Sequence, residues 1–266
     1  MRKIILGFFG LLFAVFVCGV FGIGGKAGAY IWCVAVFIVG PIALVASFGQ
    51  ITVLAVRLIR KKKIRWNMIF LALSVLCVLP ISVMSGASPV TYPTHAKEED
   101  TLVLQQPVKD GVYFGGKEYK THAYWPSECY AYDIVKEPYE TNSSKLESYG
   151  IFGENVICPI NGTVIDVQNK EPDIIPNTDE YTSSLGNYIF LQVDGKGTYL
   201  ILAHLKQGSV LVSAGEHVNA GEILAKVGNS GTTSEPHLHI QLQRENPLET
   251  KFPVCAEGLP IIFEKE

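Results

Sequence analysis

Charge is missing from three long stretches of this chain. No Asp, Glu, Lys or Arg occurs between Ile4 and Gly25, between Ala27 and Val56, or between Met68 and Met84. Each stretch reaches or approaches the ~20 apolar residues that cross a bilayer. Three such runs in succession exclude an ordinary soluble core, so about three transmembrane helices are expected within residues 1–87.

Other absences narrow the chemistry. No Cys-x-x-Cys pair occurs among the six cysteines, which excludes the usual structural zinc knuckle. Cys18, Cys33 and Cys77 fall in the apolar runs and read as packing residues. Cys129, Cys158 and Cys255 lie further on, where a disulfide is permitted, but three thiols cannot all pair internally. There is no His-Glu-x-x-His segment, which excludes the helix-based zinc peptidases that use the Glu as base. No fixed-period repeat appears, which excludes a solenoid. Beyond Leu102 no amphipathic pattern exceeds two helical turns, so that part is not a helical domain.

What is present sets the orientation. Arg57, Arg60, Lys61, Lys62, Lys63 and Arg65 sit between the second and third apolar runs, against Lys26 alone in the first connection. The positive-inside bias places that basic cluster in the cytoplasm and everything after Met84 outside. Ala27-Gly28-Ala29 also has the look of a signal-peptidase site, and cleavage there leaves the outer location unchanged. Residues 88–101 read as a linker: Ser88-Pro89-Val90-Thr91-Tyr92-Pro93-Thr94 leads into the charged Lys97-Glu98-Glu99-Asp100.

Residues 102–266 have the length of one domain. Short β-type runs at Val156 to Val167, Tyr188 to Val193, Thr198 to His204, Ile223 to Val227 and His237 to Leu242 are separated by Gly, Asn and Asp. They predict an all-β domain of hairpins, a barrel or a sandwich. Within the last run, strand alternation places His237 and His239 on one face, with Gln241 and Gln243 continuing the polar row. Leu238, Ile240 and Leu242 take the core face. Two imidazoles side by side on a strand suit one metal ligand and one neighbouring acid/base group.

The segment Gly228-Asn229-Ser230-Gly231-Thr232-Thr233-Ser234-Glu235-Pro236-His237-Leu238-His239 resembles the last signature of the LytM/lysostaphin-type zinc metallopeptidases. Three further stretches are similar to that family in the same order. They are Cys158-Pro159-Ile160-Asn161-Gly162-Thr163-Val164, Thr198 to Leu205 ending in Ala203-His204-Leu205, and Val218-Asn219-Ala220-Gly221-Glu222. The resemblance runs from about Val112 to Leu242. It implies a peptidoglycan endopeptidase with Zn2+ as cofactor. It further implies His239 as a metal ligand, with His204 and His237 as catalytic imidazoles. Ala131-Tyr132-Asp133-Ile134 resembles the family's early motif, implying Asp133 as the carboxylate ligand and His122 as its partner. Here the chain departs from the usual pattern, because Ala123 to Tyr132 intervene where the family has three residues.

Other donors compete less well. His95 falls in the linker and His217 in a glycine-flanked turn, while Glu128 and Cys129 are nearer Asp133. A thiolate or a second carboxylate would lower the site's net positive charge. Tyr124, Trp125 and Tyr130 of the inserted stretch are expected to form a groove wall that selects the substrate. The expected partners are peptidoglycan peptides and, through the N-terminal helices, the lipid bilayer, with no nucleic acid. The expected location is a bacterial cell membrane, multi-pass, with the C-terminal domain extracytoplasmic. Two rival readings accompany this one. The first is a catalytically silent cell-wall-binding or regulatory domain of the same fold. The second is a lipoyl-like carrier, which would need an exposed lysine at a hairpin tip.

Overall fold

The computed structural model describes residues 10–11, 13–14, 17–19, 21–86, 90–116 and 120–264, with the backbone alone at 120 and 121. The chain divides into two compact units: Met1–His95 with Tyr124–Pro126, and Ala96–Ala123 with Ser127–Glu266.

In the first unit, helix α1 (Gly25–Val34) continues through a π-helical turn (Ala35–Val39) into α2 (Gly40–Ile59). Pro41 lacks the N–H that an α-helix would offer to the carbonyl four residues back, and the wider turn ends just before it. Helix α3 (Arg65–Val78) follows and tightens into a 3-10 segment, Leu79–Ser85. Gly25–Ile59 and Arg65–Ser85 are long and apolar enough to cross a bilayer. The expected first span, Ile4 to Gly25, falls partly outside the described residues.

Helices α2 and α3 meet through polar side chains as well as packing. Ser47 Oγ lies 2.9 Å from Ser74 Oγ, and Asn67 Nδ2 donates to Gln50 Oε1 at 3.3 Å. In hydrocarbon such contacts hold helices in register at a gain of about 0.6–2 kcal/mol each. Outward-facing residues of α2 are large and apolar, Val45 being 73% and Ile59 82% exposed.

The second unit is β-rich, as the turn-punctuated runs predict. Its main sheet has eight strands: β2 (Val112–Gly115), β3 (Tyr132–Val135), β5 (Gly162–Gln168), β6 (Asn187–Val193), β7 (Tyr199–Leu205), β8 (His217–Val218), β10 (Leu238–Gln243) and β11 (Gly258–Leu259). The order is β2-β3-β10-β7-β6-β5-β8, with β11 pairing β10. Two small sheets complete the unit. One joins β1 (Leu102–Leu104) in parallel to β12 (Ile261–Phe263), and the other joins β4 (Asn155–Ile157) to β9 (Ile223–Lys226). Sequence left a barrel and a sandwich as alternatives. Among the described strands no pairing joins β8 back to β2.

Alternating residues of the central strands build the core. Ile134, Leu191, Leu200, Leu202, Leu238 and Ile240 are each 0% exposed and belong to one cluster. Burying each such side chain is worth roughly 1.5–3 kcal/mol. That core holds β3, β7 and β10 side by side, and their opposite faces carry the polar residues discussed next.

Candidate metal centre

Strand β10 lies between β3 and β7. Its ladder sets His239 opposite Asp133 on one side and opposite Ala203 on the other. The face of β10 turned away from the core carries His239, Gln241 and Gln243, all buried. The row is therefore covered rather than solvated, and each member needs a partner. Gln241 Oε1 accepts from His239 Nε2 at 2.9 Å. Gln241 Nε2 donates to Gln243 Oε1 at 3.1 Å, and Gln243 Nε2 donates to the Glu245 carbonyl at 2.7 Å.

His122 arrives from a different direction, on the single helical turn α4 (Lys120–Ala123). Its Nε2 lies 3.2 Å from Asp133 Oδ2, and Asp133 Oδ1 lies 3.0 Å from His239 Nδ1. The rings of His122 and His239 meet edge to face at 5.0 Å. One donor atom from each of His122, Asp133 and His239 falls within 4.8 Å of the others. The structure thus brings together the three residues named from sequence as ligands, despite the inserted stretch between His122 and Asp133. Glu128 and Cys129 are not part of that cluster among the described residues. His217 sits on an exposed hairpin, paired with Asp194 at 2.8 Å.

The two remaining histidines flank this group. His204, the last residue but one of β7, lies in the left-handed region, φ +59°. The pairing of β6 with β7 shifts there, from Asn187↔Leu205 to Ile189↔Leu202, so Ala203 and His204 oppose the single residue Tyr188. This β-bulge turns the imidazole toward His237, with ring centroids 4.6 Å apart. His204 Nδ1 lies 2.8 Å from the Ser230 carbonyl, and His237 Nδ1 lies 2.8 Å from the Glu235 carbonyl. A carbonyl oxygen only accepts, so both Nδ1 atoms carry the hydrogen and both Nε2 atoms keep a lone pair. His237 Nε2 lies 3.5 Å from Asp133 Oδ1.

Electrostatics separate the residues into two sets. Burial pushes the His204 pKa well down, and the nearby His237 and His239 push the same way. Burial also lowers His237, against the attraction of Asp133. Both are therefore neutral bases near neutral pH. His239 behaves oppositely: burial disfavours its charge, but its hydrogen bond and attraction to Asp133 lift it to about 9. Burial disfavours the Asp133 anion, but hydrogen bonds from His122 and His239 and the attraction of the surrounding imidazoles hold its carboxyl well below the usual range. Without a cation, a buried carboxylate anion is compensated here by imidazole protons.

The donor set fits a divalent cation. One carboxylate and two neutral imidazoles leave such an ion with net positive charge, and three protein ligands leave a fourth position open, as in catalytic sites. Gln241 holds His239 by Nε2 and leaves Nδ1 beside Asp133, where it would be free to hold an ion; ligating histidines are commonly held this way. Sequence had placed Gln241 on the same face as His239 without giving it that task. The i, i+2 spacing was the available signal.

The groove beside these residues differs from expectation. A cavity of about 600 Å³ adjoins Asp133 and His237 and is walled by Phe114, Tyr139, Glu140, Asn177 and Glu235. Tyr124, Trp125 and Tyr130 do not line it. Tyr124 and Trp125 pack instead within the first unit. Trp32 Nε1 donates to the Tyr124 carbonyl at 2.9 Å, and Phe37 stacks on Trp125 at 5.8 Å. Stacking on Phe37 removes more of the Trp125 ring from water than an open groove would.

Residues 149–250 match Peptidase family M23. The matched segment contains His204, His237 and His239; His122 and Asp133 precede it. An uncharacterized metalloprotease of Haemophilus influenzae is 32% identical over 118 residues, which cover 43% of this chain and 22% of that protein. The chain thus spans about a fifth of that relative's length. Among solved structures, the catalytic domain of lysostaphin from Staphylococcus simulans is 18% identical, with 57% of this chain and 88% of that one covered and a TM-score of 0.35. A zinc-containing peptidase from Vibrio cholerae is 18% identical over 55% of this chain and 34% of that one, with a TM-score of 0.30.

Proposed function

We propose that this protein is a membrane-anchored, zinc-dependent endopeptidase that hydrolyses peptide crosslinks of bacterial peptidoglycan. The convergence of His122, Asp133 and His239 within 4.8 Å, with two neutral imidazoles beside them, carries the reading. The match of residues 149–250 to Peptidase family M23 supports peptide-bond hydrolysis. The apolar helices and the basic cluster at residues 57–65 support a multi-pass anchor with the β-rich domain outside the cell. A peptidase held there meets the wall peptides first. The six-donor arithmetic of a hard cation such as Ca2+ or Mg2+ is not met by two imidazoles and one carboxylate, whereas zinc accepts that set.

His122, Asp133 and His239 would hold the ion. When bound, zinc supplies Lewis acidity that brings the pKa of water from about 15.7 toward ~7. The chain's own residues do the rest. His204 and His237 present Nε2 lone pairs from rings 4.6 Å apart, each fixed through Nδ1 by the carbonyl of Ser230 or Glu235. One such nitrogen takes the proton of the attacking water, and an Nε2–H then protonates the leaving amine. Help of this kind is commonly worth ~100- to 10,000-fold. The cavity walled by Phe114, Tyr139 and Glu235 would seat the peptide next to His237.

The test uses the full chain in detergent with purified peptidoglycan, following new amino termini and new reducing ends separately. New amino termini that disappear in Asp133→Ala support the reading. Folded protein that binds wall but releases no amine would instead favour the silent, wall-binding alternative. Reducing ends in place of amines would refute peptide-bond hydrolysis outright.

A further inference from the structure

His204 occupies a backbone region, φ +59°, that non-glycine residues rarely adopt because it is strained. Something must hold it there. Two buried side chains with 0% exposure, Asn187 and Ser230, converge on the next carbonyl, that of Leu205. Asn187 Nδ2 donates to it at 3.0 Å and Ser230 Oγ at 2.7 Å. They are joined to one another, because the Asn187 backbone N–H donates to Ser230 Oγ at 2.8 Å. Asn187 is anchored in turn at Glu171, accepting from its N–H and donating to its carbonyl, both at 2.8 Å. Ser230 completes the circuit through its own carbonyl, which takes the Nδ1 hydrogen of His204 at 2.8 Å.

The approach is close enough that no side chain fits between the strands. A Cβ on Gly186, whose φ is +62°, would come within 2.4 Å of Ser230 Oγ. Ser230 is therefore pressed against the start of β6 and cannot drift without moving the bulge.

We propose that Ser230 and Asn187 are positioning residues for His204: together they pin the bulge at Leu205 and keep His204 in the Nδ1–H form that leaves Nε2 facing the substrate. This rests on His204 acting as an acid/base group under the proposed function. The opposite tautomer would turn a hydrogen toward the attacking water where a lone pair is needed. Their bonds run to Glu171, Leu205, His204 and one another, so their effect falls on turnover and not on metal retention.

The test labels the six histidines of the full chain with 15N and reads the tautomer of each imidazole by NMR, alongside zinc content and kinetics on peptidoglycan fragments. The wild-type chain should show His204 as Nδ1–H with a coupling across the hydrogen bond to the Ser230 carbonyl carbon. Ser230→Ala should keep zinc and KM, lose about 100-fold in kcat, and show His204 redistributed toward Nε2–H. An Nε2–H His204 in the wild type overturns the proposal and requires no variant to fold. So does Ser230→Ala with unchanged kcat, or with zinc content and KM falling in step with kcat. If the wild type shows no hydrolysis yet Ser230→Ala still shifts the tautomer, the positioning stands and the functional reading fails instead.

Discussion

Asp133 and His239 stand directly opposite one another across the β3–β10 ladder, with Oδ1 3.0 Å from Nδ1. A cross-strand pair on a buried face is rigid, because both backbones are fixed by hydrogen bonds and their neighbours by the core. Two of the three ligand candidates are thus set by sheet register alone. Only His122 depends on a loop and a single helical turn.

Gln241 should govern how well that pair holds its ion. Replacing it by Leu leaves the His239 Nε2 hydrogen buried without its acceptor and frees the ring to rotate. Gln241→Leu is expected to weaken zinc affinity by about 10- to 100-fold while the fold persists. Competition titration against a chromophoric chelator measures it. Unchanged affinity would show that the ring is held by other contacts.

His204 separates binding from turnover. Its Nε2 is assigned to proton transfer, and its Nδ1 is engaged by Ser230. In His204→Ala the zinc content should stay near the wild-type level, while kcat falls roughly 100- to 10,000-fold. Loss of zinc in this variant would contradict the division between ligands and acid/base groups.

Glu171 makes acid stability testable away from the centre. Burial alone would raise its pKa, but the hydroxyl of Ser183 and the backbone N–H groups of Thr182 and Ser183 hold it below the ordinary value. A depressed folded pKa stabilises the native state above the unfolded value of about 4.3, and the gain vanishes as pH falls through the folded one. Melting temperature should therefore decline as pH drops below about 4.3. In Glu171→Gln it should start lower and decline less over that window. Parallel curves for the two proteins would remove Glu171 as a contributor.

Much of this was legible in the sequence where local pattern and long-range structure agree. Leu238, Ile240 and Leu242 alternate with His239 and Gln241, and β10 follows that period. The runs at Tyr188 to Val193 and Thr198 to His204 fall on β6 and β7 for the same reason. Strand β3 has only four residues and carries Asp133 in its middle, so no period marks it. The parallel pairing of β1 with β12 joins Leu102 to Ile261, three residues a side, and only the folded chain brings them together. Trp125 looked like groove aromatic surface, but its stacking on Phe37 depends on a helix far away in sequence. The bulge at His204 was equally invisible, since it arises from how β6 and β7 align and not from any glycine at that position.

Zinc stoichiometry of the full chain tests the central claim most directly. Elemental analysis of the purified protein after dialysis should give close to one zinc per chain, and His122→Ala, Asp133→Ala and His239→Ala should each lose it while His217→Ala keeps it. Zinc retained in all three ligand variants, or a folded wild type that takes up none, would contradict the account.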